Sequence, residues 1–244
     1  LPNFLHDSHC RLGLPLGPHF LFEKPVVPHP WNLKALAHLE AEHKRKIWSI
    51  LQLRLHPEAQ RLKAFVQASD QKQEVELSYI TSRGNWYFSS WKSDQSKSGG
   101  VATNIGIHLF DLLCWMFGEV QQLKLHRHSH DRAAGILEFE NAQVKWFLSI
   151  NAQTLPEEVK EQRTYRLLQI GRERFDFSSG FEELHQLSYE NILKGKGFGL
   201  TDCRAAIELC SQIRTMKPQL EKPEQMHLLA RLEQTKHPFG SVDC

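Results

Sequence analysis

The sequence lacks the features that mark several large classes of protein. Its 30 Lys and Arg residues nearly balance its 28 Asp and Glu residues, so no strong electrostatic argument points to nucleic acid or an anionic membrane. No apolar run approaches the roughly 20 residues that a membrane-spanning helix needs. No basic segment followed by an apolar one opens the chain, so secretion has no support. We therefore predict a cytoplasmic protein without a membrane or nucleic-acid partner.

Cysteine is too sparse to form a disulfide framework or a thiolate metal site. The five cysteines are scattered and form no C-x-x-C pair, which is typical of reduced thiols in a cytosolic protein. Alternating histidines at 126, 128 and 130 would share one face of a strand and could in principle hold zinc. No fourth ligand is in view, so we predict no metal site.

The segment with the most unusual pattern is residues 98–118, which read as a helix that is apolar on almost every side. On this helix Asn104, His108 and Asp111 fall at i, i+4 and i+7 and form one polar stripe. Buried polar groups are costly without partners. A mid-helix glycine, Gly106, also permits close approach by another backbone or a ligand. The stripe alone fits a catalytic site or a core histidine bonded to a carbonyl.

The first 56 residues alternate helix and strand. A helix ends near Gly17, and a short apolar strand from His19 to Phe22 then ends in Glu23-Lys24-Pro25. A helix over residues 30–46, with Asn32 as its predicted N-cap, leads into a strand from Ile47 to Leu53. Ligands of open parallel sheets bind outside the carboxyl ends of the strands, where Lys24 and Arg54 fall. We predict that this segment is the remnant of a doubly wound α/β domain.

Residues 57–216 have a different pattern of elements. Short predicted strands follow one another closely, with the central helix between the first two strands and two helices at the end. The predicted strands are Val75–Thr81, Glu119–Arg127, Ala133–Glu140, Gln143–Asn151 and Thr164–Ile170, and the predicted closing helices are Phe181–Leu193 and Thr201–Thr215. This pattern indicates an α+β domain with a mainly antiparallel mixed sheet. One face of that sheet is a candidate oligomer surface. Residues 217–244 have no clear pattern.

A glycine-rich stretch at 195–199 looks like part of a dinucleotide-binding loop. It lies between two predicted helices with no preceding strand, so the context of that fingerprint is absent. We interpret it as a turn that links two helices.

Three motifs taken together resemble the Gfo/Idh/MocA oxidoreductases. They are Pro2-Asn3-x-x-His6, Glu23-Lys24-Pro25, and Gly99-Gly100 followed by Asn104-x-x-x-His108-x-x-Asp111. Within that family, a further set of stretches resembles the bacterial UDP-N-acetylglucosaminuronate 3-dehydrogenases. These stretches are Pro30–Leu33, Leu51–Pro57, Tyr79–Gly84, Trp86-Tyr87, Ser98–His108 and Ser188–Leu193. The similarity extends from residue 1 to about residue 215.

The resemblance implies NAD-dependent oxidation of the C3 hydroxyl of a UDP-N-acetyl amino-uronic acid for bacterial surface polysaccharide. It also implies a Rossmann domain, a C-terminal sheet domain, and a homodimer or homotetramer built on that sheet. Lys24 and His108 are then the catalytic residues, with His108 as the base. The implied NAD contacts are Asn3, His6, Glu23 and Lys24, and the candidate substrate contacts are Lys24, Arg54, Tyr87, Asn104 and His108.

The sequence departs from the family pattern in two ways. Many relatives carry Asp where this chain has Asn104, and an amide cannot act as a base, so Asn104 is expected to orient a sugar hydroxyl. The family's first strand and glycine-rich phosphate loop have no counterpart, so we expect weak NAD binding by these 244 residues alone. A non-catalytic fragment or interaction module, and a family dehydrogenase for another sugar or inositol, remain alternatives.

Overall fold

The N-terminal part of the chain alternates helices with two short parallel strands. The computed structural model describes residues 1–177, 180, 182–219, 223–233 and 235–239. Its first elements are α1 (His6–Gly13), β1 (Phe20–Phe22), α2 (Pro30–His43) and β2 (Ile47–Ser49). β1 and β2 pair in parallel across the α2 crossover, which agrees with the predicted α/β class of this part.

Two predicted helix ends differ from the structure. Asn32 is not the N-cap of α2, because the helix begins at Pro30, and His29 in an extended conformation precedes it. The fixed φ of proline suits the first helical position, so the helix begins earlier than the Asn signal suggested. α1 ends at Gly13, and a 3₁₀ turn then continues to Gly17, whose φ is 103°.

A six-stranded mixed sheet forms the second part. After α3 (Pro57–Gln67), its strands are β3 (Gln73–Thr81), β4 (Gln122–His128), β5 (Arg132–Glu138), β6 (Ala142–Ser149), β7 (Thr164–Ile170) and β8 (Glu173–Asp176). The spatial order is β4-β5-β6-β3-β7-β8, and only the β3–β6 pair among these strands is parallel. The predicted α+β class with a mainly antiparallel sheet is therefore confirmed. β8 was not predicted, because its four residues are mostly charged.

Helices cover one face of this sheet, which we call the inner face. A π-helical turn (Ala102–Gly106) and α5 (Ile107–Phe117) pack directly on it. The other helices of this part are α4 (Gln95–Ser98), α6 (Leu184–Leu193) and α7 (Leu200–Thr215), and α7 packs against α5. A Cβ added to Gly106 would lie 2.5 Å from Leu148 Cδ1, so the missing side chain lets the helix sit directly on the sheet. The predicted first residue of α6, Phe181, lies outside the described residues.

One helical stretch, Gln95–Phe117, is long and apolar enough to span a membrane by length and composition, but its apolar window is 78% buried inside the fold. It is the central core helix of the protein. Large aromatic side chains pack around it, as in the edge-to-face contact of Phe110 with Trp146 at 5.2 Å between ring centroids.

The opposite, outer face of the sheet is crossed by a segment that we call the C-terminal strap (residues 223–233 and 235–239). Its Ala230 packs against Ile80 and Phe147 on the outer face. His227 forms a hydrogen bond with Ser78 Oγ at 3.1 Å, and Arg127 Nε donates to the Ala230 carbonyl at 3.0 Å. The tail without a sequence-based prediction therefore packs against the sheet over its described residues.

Candidate active site

Two of the three residues in the polar stripe of the central helix are partly exposed to solvent, while Asp111 is buried. Between Val101 and Leu113 every residue is buried except Asn104 and His108, which are half-exposed. Both side chains lie on the π-helical turn and the first turn of α5. An apolar helix thus presents two polar groups at the same accessible place, as a ligand site requires.

Asn104 is held by the loop that follows β3. Its Nδ2 donates to Tyr87 Oη and to the Lys92 carbonyl, both at 3.0 Å. Tyr87 is buried, and burial raises the pKa of its hydroxyl to about 12, so it stays protonated near neutral pH. The amide of Asn104 is therefore fixed in one orientation, with its oxygen directed away from these partners.

Lys24 follows β1, and its side chain is only 2% exposed. Its Nζ lies 3.7 Å from Asp111 Oδ2 and has no hydrogen-bond partner among the described residues. Burial lowers the pKa of this amine, and the charge of Asp111 opposes that shift. A buried ammonium whose donors are unused is costly, which is typical of a group reserved for a ligand.

Arg54 is placed differently from its predicted role in contacting substrate. Its guanidinium forms a fork with Asp111 at 2.8 and 3.2 Å, and it also donates to the carbonyl and a carboxylate oxygen of Asp202. These contacts use both ends of the fork and leave the side chain buried. Arg54 holds Asp111 beneath Lys24, while direct contact of Arg54 with substrate stays a prediction.

The imidazole of His108 is affected by burial and by two positive charges. Burial, and then the charges of Lys24 and Arg166, lower the pKa of His108 well below its ordinary value of 6.5. The ring is therefore neutral at neutral pH. Arg166 was not among the site residues predicted from the sequence. It could have been found from its position on β7, because it alternates onto the same face of the strand as the inward-facing Leu168 and Ile170.

The residues predicted to contact NAD have unequal environments. Asn3 is buried, and its Oδ1 has no partner among the described residues, as is true of Lys24 Nζ. His6 is packed into the fold, where its Nδ1 lies 3.1 Å from the carbonyls of Pro25 and Val26. Glu23 is exposed. The two unsatisfied atoms fit a ligand rich in hydroxyl and amide groups, such as the nicotinamide end of NAD, and the individual contacts stay predictions.

Two other sequence features lie away from these residues. The glycine-rich stretch 195–199 joins α6 to α7, and Asp202 accepts the N–H of Gly199 at 2.8 Å, so it is the helix-linking turn that we predicted. His128 and His130 line a cavity of about 1120 Å³ with His237 of the C-terminal strap. Within the described ranges no group of three or more His, Cys, Asp or Glu side chains is placed to hold a metal ion.

Comparison with known proteins places this geometry in a family. Residues 72–159 match the family described as the oxidoreductase family, C-terminal alpha/beta domain, of Gfo/Idh/MocA proteins. The WlbA (WbpB) dehydrogenase of Thermus thermophilus, solved with NAD and alpha-ketoglutarate, is 43% identical with a TM-score of 0.90. The match covers 93% of this chain and 74% of the Thermus chain. The same type of enzyme in complex with NAD and UDP-GlcNAcA gives 42% identity, a TM-score of 0.89 and the same coverages.

A more distant structure shares the fold. WlbA from Bordetella pertussis, in complex with NADH and UDP-GlcNAcA, is 18% identical with a TM-score of 0.71, over 87% of this chain and 73% of its own. The level of identity to the Thermus proteins confirms the predicted class of oxidoreductase and agrees with NAD as the predicted cofactor. By these similarities, the chain belongs to the Gfo/Idh/MocA oxidoreductase family.

Proposed function

We propose that this protein catalyses the NAD-dependent oxidation of the C3 hydroxyl of a UDP-N-acetyl amino-uronic acid, with UDP-GlcNAcA as the substrate. The observation that carries the proposal is the buried Lys24 amine with unused donors, in the same cluster as the neutral His108. The Thermus relatives bind NAD and, in one complex, UDP-GlcNAcA. NAD, when bound, would accept the hydride from the sugar carbon.

His108 is the proposed base. Hydride can leave a carbinol carbon only as the hydroxyl proton is removed, and a neutral imidazole can accept that proton. The low pKa of His108 keeps the imidazole neutral well into the acidic range. His108 is not fully buried as a residue, which allows a substrate to reach this position.

Lys24 is the proposed electrophilic partner. Its ammonium would donate to the reacting oxygen and stabilise the charge that develops when His108 removes the proton. Asp111 raises the pKa of Lys24 and so helps to keep the amine protonated. Arg54 supports that carboxylate from behind, and the Asn104 oxygen is placed to accept a neighbouring sugar hydroxyl.

The test is an assay of NADH formation with UDP-GlcNAcA and a saturating concentration of NAD. The unmodified chain should reduce NAD in proportion to the amount of 3-keto product, and His108→Gln should abolish most of the turnover. Lys97→Gln, on the exposed side of α4, is the matched control and should keep full activity. Absence of NADH and keto product from a folded chain that binds both ligands would refute the proposed reaction.

The remaining finer predictions are proposals of the same kind. We expect the reaction to serve bacterial surface polysaccharide synthesis in the cytoplasm, and the chain to form a homodimer or homotetramer through the outer face. Leu228 and Leu232 of the C-terminal strap are exposed there, which favours a further copy as partner. Light scattering of the protein and of a Leu228→Glu variant would test the assembly, and an unchanged mass in the variant would contradict this surface.

A further inference from the structure

A large cavity lies between the C-terminal strap, the hairpin that joins β4 to β5, and the loop that follows β3. Its volume is about 1120 Å³, whereas small-molecule sites commonly measure about 300–1,000 Å³. The proposed mechanism assigns residues to the sugar of the substrate and none to its nucleotide. The cavity is large enough to hold that nucleotide.

The cavity adjoins the proposed sugar site. Tyr87 and Lys92 line it, and these same two residues hold the Asn104 amide, each at 3.0 Å. Gly100 also lines the cavity, and Gly100, Asn104 and His108 follow one another at intervals of four residues on the central helix. Residues four apart lie on the same side of a helix, so one helix face extends from the cavity to His108. Eight helical residues span roughly 12 Å, so a ligand that reaches both places is longer than one sugar ring.

The charges of the cavity favour an anion. Lys92 and Lys236 both line it, and neither amine has a carboxylate partner among the described residues. Asp94 is the one acidic side chain among these lining residues. Its carboxylate already accepts from the Ser96 N–H at 2.9 Å and pairs with Lys97 Nζ at 3.0 Å. Two ammonium groups without counter-charges are suited to the phosphates of a nucleotide.

Three aromatic rings from three different segments meet at the same cavity. Phe88 follows β3, His130 lies in the β4–β5 hairpin, and His237 belongs to the C-terminal strap. The ring of His237 lies 4.9 Å from that of His130 and 5.1 Å from that of Phe88, between centroids. All three residues are partly exposed. A cluster of this kind offers stacking and edge contacts to a flat nucleobase.

The strap is fixed where it reaches the cavity. Thr235 Oγ1 donates to Asp131 Oδ2 at 2.7 Å. The Phe239 N–H donates to His237 Nδ1 at 3.2 Å, so the neutral ring carries its proton on Nε2. The backbone on both sides of Lys236 is therefore held in place, which reduces the entropy that this segment loses when a ligand binds.

We propose that this cavity binds the uridine diphosphate half of the substrate, with Lys236 binding the diphosphate and the aromatic cluster, including His237, contacting the uracil. The proposal rests on the proposed function, which supplies a UDP-sugar as the ligand. The sugar then lies at Asn104, with its C3 hydroxyl towards His108. The C-terminal strap, which has no periodic sequence pattern, thereby becomes part of the substrate site.

The experiment measures the binding of UDP, uridine and inorganic pyrophosphate by calorimetry, with and without NAD. Probes that bind weakly are measured as competitors of UDP. The variants are Lys236→Gln and His237→Ala, and the matched control is Lys217→Gln, which removes the same charge from an exposed lysine outside the cavity. Circular dichroism and thermal unfolding confirm that each variant is folded.

Lys236→Gln should raise the Kd of UDP and of pyrophosphate by about 5- to 20-fold and that of uridine by less than about twofold, because only the phosphates meet the ammonium. His237→Ala should raise the Kd of UDP and of uridine by about 5- to 20-fold and leave that of pyrophosphate nearly unchanged, because a stacking partner is lost. Lys217→Gln should match the unmodified protein.

A purely structural role of the strap predicts a different result, in which both variants weaken all three probes equally. That result overturns the assignment, as does an unmodified protein that binds no UDP. Failure of the proposed reaction is distinguishable from both. A protein that binds UDP through Lys236 and His237 but forms no NADH from UDP-GlcNAcA supports the nucleotide site and refutes the dehydrogenase activity. A protein that oxidises UDP-GlcNAcA with an unchanged KM in both variants retains the dehydrogenase and refutes the nucleotide site.

Discussion

Among the described residues, two buried aspartate–arginine pairs have different surroundings. Asp111 and Arg54 join the N-terminal part to the central helix, and beside them the Lys24 amine has unused donors. Asp131 and Arg132 lie at the start of β5, and every contact there is satisfied within the chain. Burying charge costs free energy in both places, but only one place leaves a group for something outside the protein.

The satisfied pair binds the C-terminal strap. Asp131 accepts from Asn151 at 2.9 Å and from Thr235 at 2.7 Å, and Arg132 donates to the Glu233 carbonyl at 2.9 Å. Burial alone would raise the pKa of Asp131, but the hydrogen bonds that it accepts from Arg132, Asn151 and Thr235 lower it. The complete hydrogen bonding of this pair is typical of a structural network, whereas the unused donors of the Lys24 amine are typical of a ligand site. This contrast separates the functional from the structural charges more clearly than burial alone.

The most severe test of the contrast is His108→Ala. We expect kcat to fall by roughly 10²- to 10⁴-fold, because the proton acceptor is lost. The melting temperature should change little, because His108 is only partly buried as a residue. Turnover kinetics and thermal unfolding are measured on the same preparation, and near-normal turnover would remove His108 from the mechanism.

Asp131→Asn should have the opposite profile. Its loss leaves the buried Arg132 without a counter-charge, so the free energy of unfolding should fall by about 3–5 kcal/mol while kcat/KM of the folded protein stays the same. Urea unfolding measures the change, with the exposed Asp70→Asn as the control. Because folding lowers the pKa of Asp131, the stabilisation is complete above the unfolded pKa of about 3.9 and is lost as pH falls through the folded value. Equal loss of activity and stability would erase the distinction between the two pairs.

Lys24→Met should lower kcat by about 10²- to 10³-fold, the range found when one donor to a developing oxyanion is removed. The variant should unfold at the same temperature as the unmodified protein or higher, because methionine removes an amine whose burial is not compensated. Steady-state kinetics measure the loss of kcat, and calorimetry measures the change in melting temperature. A large drop in stability would mean that the amine is a structural group.

The smallest expected effect is on the pH profile. The acid limb of kcat/KM should lie below pH 6.5, since the pKa of His108 is lowered and the base is lost only when the ring is protonated. Arg166→Gln removes one of the lowering charges and should shift that limb upward. An unmoved limb would show that Arg166 has no influence on the base.

The sequence predicted the parts of the site that lie close together along the chain. Asn104, His108 and Asp111 were visible as one stripe because a helix has a fixed period. Arg166 was not, because its place depends on strand register with β3. The pairing of Arg54 with Asp111 was missed for the same reason, since the exposed position suggested by the strand end became buried under α7.

The fold also has parts that local sequence patterns predicted and a part that they did not. Element types and the class of the sheet followed from local periodicity, whereas the C-terminal strap has no periodic pattern of its own. Its position depends on individual bonds to Ser78, Arg127 and Asp131, which no local signal announces. A long-range hydrogen bond joins two residues that are far apart in the sequence. The local pattern around one of them does not identify the other.

The Asp202 carboxylate makes two contacts that no other side chain could easily make at the same time. One carboxylate oxygen caps the first turn of α7 at Gly199, and the other receives the guanidinium of Arg54. A replacement that satisfied only the helix would leave Arg54 Nη1 without its carboxylate, and one that satisfied only the arginine would fray the helix. During evolution, positions 54 and 202 are therefore expected to change as a pair or remain as they are.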